Sequence, residues 1–383
     1  MDFKSCFTYI IALQLLGSVA SATTIDVIMT FSYPLEHTIA TLPQKIEDQT
    51  DLAGTFITSD GLERAFIYKP LQHKFGPPLS PAFANGAPTE GHGVNFLRHI
   101  VGDYVDETTG RYHGFLMTHP NCTPTPTPSP TPTPTPTPGD AIASAPPTTL
   151  AEETDSDLFF EDEPEPDAGL PRCPLVFTPL DIANALDTIP LGINNLGDIV
   201  GTATFGDGSQ PAFLTVKQVT TKFVVPGAAA TFAYQVNDSG QIVGYYVDAN
   251  GISHGYMRDS AGALTFPIDV PGATETFLLG NNASNWVVGR YTDTAGVTHG
   301  LFYVTPDDIF TYDYPGATAT SLTGINKNSL ICGYYTDMAG VSHGFVARVN
   351  VTASGKPNMN TRTVPVKPIY ALPQIPGISV PVL

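Results

Sequence analysis

Residues 333–345 read GYYTDMAGVSHGF, and the same pattern stands at residues 289–301 (GRYTDTAGVTHGL) and 244–256 (GYYVDANGISHGY). The glycines that open these copies are 45 and then 44 residues apart. A period in the forties, with short β-rich runs between Gly, Pro, Asn and Asp turns, is typical of β-propeller blades. Such a unit is too small to bury both of its faces, so the pattern predicts a ring of packed units.

Weaker copies extend the repeat toward the N-terminus. Six glycines open the copies, namely Gly54, Gly102, Gly201, Gly244, Gly289 and Gly333. The first copy has Glu47 seven residues before its glycine, and the other five have an asparagine there, namely Asn95, Asn194, Asn237, Asn282 and Asn326. We therefore predict an all-β fold, a single six-bladed β-propeller built from four-stranded repeats of ~44 residues.

The last copy indicates how one blade is built. We predict strands at 310–314, 318–325, 330–335 and 343–348, separated by turn residues. The ring would close through a strand at 24–30 or through the tail at 364–371, because either removes an exposed strand edge. We expect the Pro-Gly-Ala and Asp-x-x-Gly turns on one face of the ring, and the Asn turns and the connections between blades on the other.

Composition and the N-terminal segment indicate the remaining organisation. The chain has 383 residues, 35 Gly and 36 Pro, and only 14% are charged, which favours short strands over long helices. Residues 1–22, with a short apolar run and a small-x-small end, are typical of a secretory signal peptide. The run is shorter than the roughly 20 residues of a membrane span, so we predict a secreted, extracellular chain without a span after cleavage. Blades 1–2 then occupy 23–118, and blades 3–6 with the closing strand occupy 175–383.

Residues 119–174 interrupt the repeat. They contain a Thr-Pro alternation and, at 152–167, nine acidic and no basic residues, so we predict a disordered insertion. Cys122 and Cys173 flank it and favour a disulfide in an oxidising compartment, with two free thiols as the alternative. Cys332 stands where other copies have valine and is predicted to be buried. The formal charge of −19, without a basic stripe, argues against nucleic-acid binding.

The repeat resembles the HAF family of extracellular repeat proteins, named for a His-Ala-Phe triplet. The triplet reads His-Gly-Phe at 113–115 and 343–345, and Ala-Phe without the histidine at 65–66 and 212–213. The Pro-Gly-Ala-Thr, Ile-Asn-x-x-Gly-x-Ile-Val-Gly and Asp-x-x-Gly patterns carry the rest of the resemblance, which is strongest over 223–348. It implies an exported repeat protein without an established activity.

Recurring histidines and aspartates are candidates for metal chemistry. The histidines are His113, His254, His299 and His343, and the aspartates are Asp106, Asp248, Asp293 and Asp337. The imidazoles could form a metal ring, but those of neighbouring blades should lie too far apart for bonds of roughly 2 Å. The acidic turns could hold calcium, but one carboxylate per turn falls short of the usual six to eight or so oxygens. We interpret all eight as structural repeat residues and predict no metal and no cofactor.

Ligand sites on a symmetric scaffold are expected where the symmetry is broken. Four side chains depart from their equivalents, and we predict ligand binding there: Arg64, Asp103, Gln210 and Arg290. The sequence has no nucleophile, zinc or phosphate-binding motif. It thus favours a secreted, monomeric, non-catalytic propeller that binds an extracellular protein or glycan. Whether it is an enzyme stays open, and the alternative is a secreted hydrolase or lyase acting on polysaccharide, because blades bring distant carboxylates together.

Overall fold

A computed structural model gives the fold and describes residues 24–118, 175–305 and 308–350. These residues form 24 strands and two short 3-10 helices, Pro70–Gln72 and Ala82–Ala84. The first nine strands are β1 (Thr24–Phe31), β2 (Thr38–Ile46), β3 (Leu52–Thr58), β4 (Glu63–Lys69), β5 (Lys74–Phe75), β6 (Thr89–Val94), β7 (Ile100–Asp106), β8 (Arg111–Thr118) and β9 (Val176–Pro179). The next eight are β10 (Ala185–Ile193), β11 (Ile199–Phe205), β12 (Ala212–Val216), β13 (Val219–Phe223), β14 (Ala230–Val236), β15 (Ile242–Val247), β16 (Ser253–Arg258) and β17 (Leu264–Ile268). The last seven are β18 (Glu275–Asn281), β19 (Val287–Thr292), β20 (Thr298–Thr305), β21 (Asp308–Tyr312), β22 (Ala319–Ile325), β23 (Leu330–Thr336) and β24 (Ser342–Asn350).

Turn chemistry sets where the strands end. Strand β23 ends at the Asp337 turn, where Asp337 Oδ1 accepts hydrogen bonds from the backbone nitrogens of Ala339 and Val341 at 2.8 and 2.9 Å. Gly340 in the same turn has φ 82°, a conformation that other residues rarely adopt. The Asp-x-x-Gly pattern therefore specifies a hairpin turn locally, before any packing.

Sheet topology confirms the β-propeller arrangement but not the predicted number of separate blades. Four sheets are separate and four-stranded, with the orders β6-β7-β8-β9, β10-β11-β12-β13, β14-β15-β16-β17 and β18-β19-β20-β21. The other eight strands form one sheet in the order β22-β23-β24-β2-β3-β4-β5, with β1 paired to β24. The prediction of six separate blades is wrong, because a parallel bridge between Ala40 and Ser342 merges the strands on its two sides into one sheet.

The first strands of the repeats form a closed ring. These strands, β2, β6, β10, β14, β18 and β22, each contact the next in this order, and β22 contacts β2. A Cβ on Gly192 would lie 2.7 Å from the Tyr234 carbonyl oxygen, and one on Gly324 would lie 3.0 Å from the Ile46 nitrogen. Glycine at these two positions therefore lets neighbouring first strands approach each other closely. Residues 24–118 and 177–350 belong to one compact unit.

A glycine facing an apolar side chain is the repeating element of the core. Gly102 of β7 pairs with Phe115 of β8, and a Cβ on Gly102 would lie 2.7 Å from the Phe115 ring. Gly201 and Phe213 repeat this arrangement. The six equivalent side chains are at most 1% exposed, namely Phe66, Phe115, Phe213, Tyr256, Leu301 and Phe345. Burial of each stabilises the fold by roughly 1.5–3 kcal/mol, so the third residue of the His-Gly-Phe triplet is a core position.

The N-terminal strand supplies the outer strand beside the last repeat. Strand β1 pairs antiparallel with β24, from Thr24 opposite Asn350 to Phe31 opposite Gly344. This decides between the two predicted modes of closure in favour of the N-terminal strand. The tail at 364–371 lies outside the described residues.

The sheets do not begin at the same strand as the predicted sequence units. The predicted strand at 310–314 was assigned to the last blade, but β21 pairs with β20 of the preceding sheet. The Pro-Gly-Ala turns therefore connect one sheet to the next. Thr274, after such a turn, donates its N–H to the Thr292 carbonyl beside the Asp293 turn, so these connections lie on the same face as the Asp turns. The prediction that connections between blades share the face of the Asn turns is wrong for this reason.

Several predictions fall outside the described residues. They concern the signal peptide at 1–22, the insertion at 119–174 and the Cys122–Cys173 disulfide. Cys332 is fully buried, as predicted. Within the described ranges, no helix has the length and apolar character that crossing a membrane requires.

Candidate functional site

The ends of all six first strands surround a cavity of about 440 Å³. The last residue of each strand lines it, namely Ile46, Val94, Ile193, Val236, Asn281 and Ile325. Each is the last residue of its strand and directly precedes an Asn turn or, in the first repeat, Glu47. We call this cavity the axial pocket, and the side of the ring on which it lies the asparagine face.

An asparagine belt encircles the axial pocket. Each asparagine amide donates from Nδ2 to the backbone carbonyl of its equivalent in the next repeat, at 2.9–3.2 Å, along the series Asn95, Asn194, Asn237, Asn282, Asn326 and Glu47. Each Oδ1 also accepts from the backbone nitrogens two and four residues on, as at Leu97 and His99 for Asn95. The asparagines thus form their own turns, as predicted, and also join neighbouring repeats.

Glu47 holds its turn in the same way but leaves the belt open. Its carboxylate accepts from the backbone nitrogens of Gln49 and Asp51 at 2.7 and 2.8 Å. A carboxylate has no N–H group. Glu47 therefore cannot donate a hydrogen bond to the Asn95 carbonyl as the asparagines do to the next repeat. Burial raises the pKa of Glu47, with the two backbone hydrogen bonds opposing this.

The symmetry of the pocket is broken at the position nine residues before the glycine that opens each copy of the repeat. Four repeats have glycine there, namely Gly93, Gly192, Gly280 and Gly324, whereas Lys45 and Gln235 stand in the first and fourth repeats and line the pocket. Lys45 is 8% exposed, and among the described residues no hydrogen bond or ion pair reaches its Nζ. Burial lowers the pKa of Lys45 to about 8, although Cys332, Asp48 and Asp238 act to raise it. The pocket is therefore lined by an amine to which the described residues make no hydrogen bond or ion pair.

A polar network lies at the mouth of the axial pocket, formed by the residues that follow the belt. Asn195 Nδ2 donates to Asp48 Oδ2 at 3.2 Å and to Asp238 Oδ2 at 2.9 Å. Lys327 Nζ lies 3.2 Å from the same Asp48 oxygen. Phe96 lines the pocket beside this network, is 40% exposed, and donates its N–H to Asn195 Oδ1 at 3.0 Å.

A second polar contact crosses the ring one residue before Lys45 and Gln235. Tyr234 donates its hydroxyl to Gln44 Oε1 at 3.0 Å, although their strands, β14 and β2, are opposite one another in the ring. Burial raises the pKa of Tyr234, so its hydroxyl stays protonated and remains a donor. Both residues sit where the register with the second strand shifts, at a β-bulge that re-aims a side chain.

A separate titratable group lies at the bulge of β6. His92 is 6% exposed and bonds through Nε2 to Asp103 Oδ1 at 2.6 Å, with Glu90 at 3.8 Å. Burial would lower the pKa of His92, but Asp103, Glu90 and Glu63 raise it overall. Burial also raises the pKa of Glu90 and of Glu63. The His92 Nδ1 atom is buried without a hydrogen-bond partner among the described residues.

The four predicted ligand residues have four different surroundings, and none lines the axial pocket. Arg64 donates to the carbonyl oxygens of the 86–87 turn at 2.6 and 3.1 Å. Asp103 pairs with His92, and Gln210 Nε2 donates to the Thr204 hydroxyl at 3.3 Å. Arg290 stacks on Phe277, 4.6 Å from the ring centroid. The four side chains make different contacts, and ligand binding by them stays a prediction.

The repeated histidines bridge aspartates on the opposite face. Nδ1 bonds at 2.8–3.1 Å to Asp181, Asp269 and Asp313 for the first three histidines, and to Ser32 for the fourth. Nε2 lies 3.0–3.7 Å from the turn aspartate in three repeats, Asp248, Asp293 and Asp337. Partial burial acts to lower the pKa of His299, but its two aspartates raise it overall. In the described part of the chain, no three His, Cys, Asp or Glu side chains are grouped as metal ligands would be.

Sequence reasoning missed Lys45 because the search for departures from the repeat did not include the first strands. Aligning the copies nine residues before the glycine that opens each copy would have found it, since four glycines stand against one lysine and one glutamine. Asp48, Asn195 and Asp238 occupy a position that has aspartate in only two of the six repeats, so no recurring pattern marks them.

No family model and no curated protein matches the chain. Three solved structures are similar. TolB from Acinetobacter baumannii is 10% identical with a TM-score of 0.44, over 78% of this chain and 65% of that one, so the match spans less than two thirds of the TolB chain. The β-propeller domain of the Trilobed protease from Pyrococcus furiosus is 7% identical with a TM-score of 0.42, over 82% and 93%. The BP39L lectin from Burkholderia pseudomallei is 10% identical with a TM-score of 0.38, over 80% and 79%. None of the three assigns a ligand or an activity to this chain.

Proposed function

We propose that this protein is an exported, non-catalytic β-propeller that binds a protein or glycan ligand in its axial pocket. One observation carries the proposal. Lys45 is 8% exposed and lines the cavity, and no hydrogen bond to its amine is present among the described residues. Burial lowers the pKa of Lys45, so the charged amine costs stability, which is expected of residues retained for a site.

The shape and composition of the pocket support binding. A volume of about 440 Å³ falls within the range of ~300–1,000 Å³ usual for ligand pockets. Five of the six strand-end residues in its wall are apolar, and Lys45, Gln235, Asn281 and the mouth network add polar groups, a combination that favours a bound ligand. The belt holds the strand ends in place, so the pocket is formed before a ligand arrives.

A polysaccharide hydrolase is the second candidate, and the carboxylates of the mouth favour it. Asp48 and Asp238 bond to the same Asn195 nitrogen, and the two distances place at most 6.1 Å between the bonded oxygens. Glycosidases use carboxylate pairs roughly 5–9.5 Å apart, one of which must be protonated. Here one amide donates to both carboxylates, which holds both as acceptors. The hydrolase would be favoured if the wild type released sugars from a polysaccharide and both Asp48→Asn and Asp238→Asn lost this activity.

We also propose that the ring has six repeats, with the eight-stranded sheet counting as two, and that the chain is an HAF-repeat protein. Equivalent bulges in all six first strands support the repeat count. The signal-peptide pattern supports export, and the expected mature N-terminus is Thr23. N-terminal sequencing and sedimentation of the secreted chain test cleavage and the expected monomer.

Calorimetry of the secreted protein tests the function. The probes are soluble neutral polysaccharides, soluble polyuronates, and acidic and basic peptides. We expect saturable binding without products, weakened in Lys45→Met and unchanged in Lys217→Met, an exposed lysine of a turn. Saturable binding that is equally strong in Lys45→Met would place the ligand elsewhere and contradict the proposal.

A further inference from the structure

We propose that the axial pocket selects a neutral sugar unit, whose hydroxyl groups bond to Lys45 and to the mouth carboxylates while one face of the ring stacks on Phe96. This inference rests on the proposed function and adds the chemical class of the ligand. It follows from the sign and arrangement of the polar groups around the cavity.

The polar groups of the pocket require a ligand that both donates and accepts. Lys45 offers up to three N–H donors and no acceptor, whereas Asp48 and Asp238 only accept when ionised. Carboxylate or phosphate groups could accept hydrogen bonds from Lys45 but would be repelled by the two aspartates. An ammonium group could donate to the aspartates but would face Lys45 and Lys327. A hydroxyl group can do both, so neighbouring hydroxyls of one sugar fit the amine and the carboxylates together.

Charge favours a neutral sugar over an acidic one. The chain has a formal charge of −19, which repels polyanions over long range. Close to the pocket, three carboxylates, those of Glu47, Asp48 and Asp238, stand against the two amines of Lys45 and Lys327. A uronate would therefore meet a net negative site, whereas a neutral sugar exchanges hydrogen bonds with water for hydrogen bonds with the protein.

Phe96 provides an apolar surface next to these groups. It follows the belt residue Asn95, lines the cavity and is 40% exposed. At the equivalent position the other repeats have only polar residues or alanine, namely Asp48, Asn195, Asp238, Ala283 and Lys327. An exposed aromatic ring beside paired acceptors suits a sugar, which has an apolar face of C–H groups and an edge of hydroxyls.

Binding is expected to open the mouth network. Asn195 Nδ2 occupies one oxygen of Asp48 and one of Asp238, and it spans the entrance between them. A sugar hydroxyl that donates to either aspartate can replace this bond at little net cost, since one hydrogen bond is exchanged for another. Lys45 then gains an acceptor, which none of the described residues provides.

The test is calorimetry of the full secreted chain with matched probes. The neutral probes are hexasaccharides of glucose, galactose, mannose and xylose, and the acidic probe is a hexauronate. We expect one neutral probe to bind at least tenfold more tightly than the hexauronate. We expect about tenfold or greater weakening in Lys45→Met and in Phe96→Ala, and no change in Lys217→Met. Unfolding curves of each variant exclude misfolding as the cause.

The outcomes separate this inference from the proposed function. Absence of binding to every neutral probe, or equal binding of the hexauronate, overturns the sugar assignment. If peptides bind and Lys45→Met weakens their binding, the pocket remains a ligand site and only the sugar assignment is overturned. If a neutral probe binds equally well to Lys45→Met and to the wild type, the assignment to this pocket is overturned as well.

Discussion

Replacing Lys45 by methionine is expected to stabilise the protein at neutral pH. Lys45 is 8% exposed, has no hydrogen-bond partner among the described residues, and has its pKa lowered by burial to about 8. Methionine keeps most of the length of the side chain and removes the charge. Replacement of a buried charge by an apolar side chain of similar volume is often stabilising.

The pKa shift gives the magnitude. Lowering the pKa of Lys45 from 10.5 to about 8 corresponds to about 3 kcal/mol of destabilisation while the amine is charged, at about 1.4 kcal/mol per pH unit. The attraction of the nearby carboxylates is already included in this net shift. We therefore expect Lys45→Met to raise the free energy of unfolding by about 3 kcal/mol at pH 7.

The pH dependence identifies the cause. Between pH 8 and pH 10.5 the folded protein has released the Lys45 proton while the unfolded chain still holds it. Stability of the wild type therefore rises with pH across this interval, and the variant lacks this rise. The advantage of Lys45→Met should shrink by about 2 kcal/mol between pH 7 and pH 9.5.

Urea unfolding at pH 7 and pH 9.5 measures both effects, with Lys217→Met as the control for losing a positive charge on an exposed turn. The reasoning would be refuted if Lys45→Met were less stable than the wild type at pH 7, or if its advantage did not change with pH. The first result would mean that Lys45 makes a stabilising contact in the folded protein, and the second would mean that burial does not lower the pKa of its amine. The expected result would instead show that the residue lowers stability, as a residue retained for ligand binding does.

Three further predictions concern the belt, the histidines and the insertion. Glu47→Asn should complete the belt by donating to the Asn95 carbonyl and should raise the free energy of unfolding by about 1 kcal/mol in urea titrations; a loss of stability would contradict the belt. His299 should titrate in NMR above the usual histidine value, because Asp313 and Asp293 together raise its pKa by more than partial burial lowers it, and its contribution to stability should be lost as pH rises through that raised pKa; titration at or below the usual value would contradict this. Proteolysis within 123–165 under reducing conditions should leave the two pieces associated during native gel filtration, since the strands before and after the cut share one ring; separation would contradict that ring.

Local features of the fold could be predicted because they depend on residues close in sequence. The Asp337 turn needs only the hydrogen bonds to Ala339 and Val341 and a glycine with positive φ. The 44–45-residue repeat likewise predicts a propeller, since each unit must bury its faces against a neighbour. The count of separate sheets could not be predicted, because the Ala40–Ser342 bridge joins strands about 300 residues apart in sequence.

The candidate site shows the same division. Asparagines at a fixed spacing predict turns, but their donation to the next repeat links Asn95 to Asn194 across the insertion and needs the closed ring. The departures at Arg64 and Arg290 could be read from the sequence, yet one donates to a neighbouring turn and the other stacks on Phe277. A departure from the repeat shows that symmetry is broken, and only the packing shows whether a ligand can reach it.

By itself, the sequence determined the β-rich repeat and its turns, because these follow from local conformation and from the period. Only the tertiary structure decided that β1 closes the last repeat, that eight strands merge into one sheet, and that Lys45 is buried beside the axial pocket. The physical reason is that burial and isolation of a side chain depend on distant strands. Lys45 lines a cavity around which six strand ends from distant parts of the chain converge.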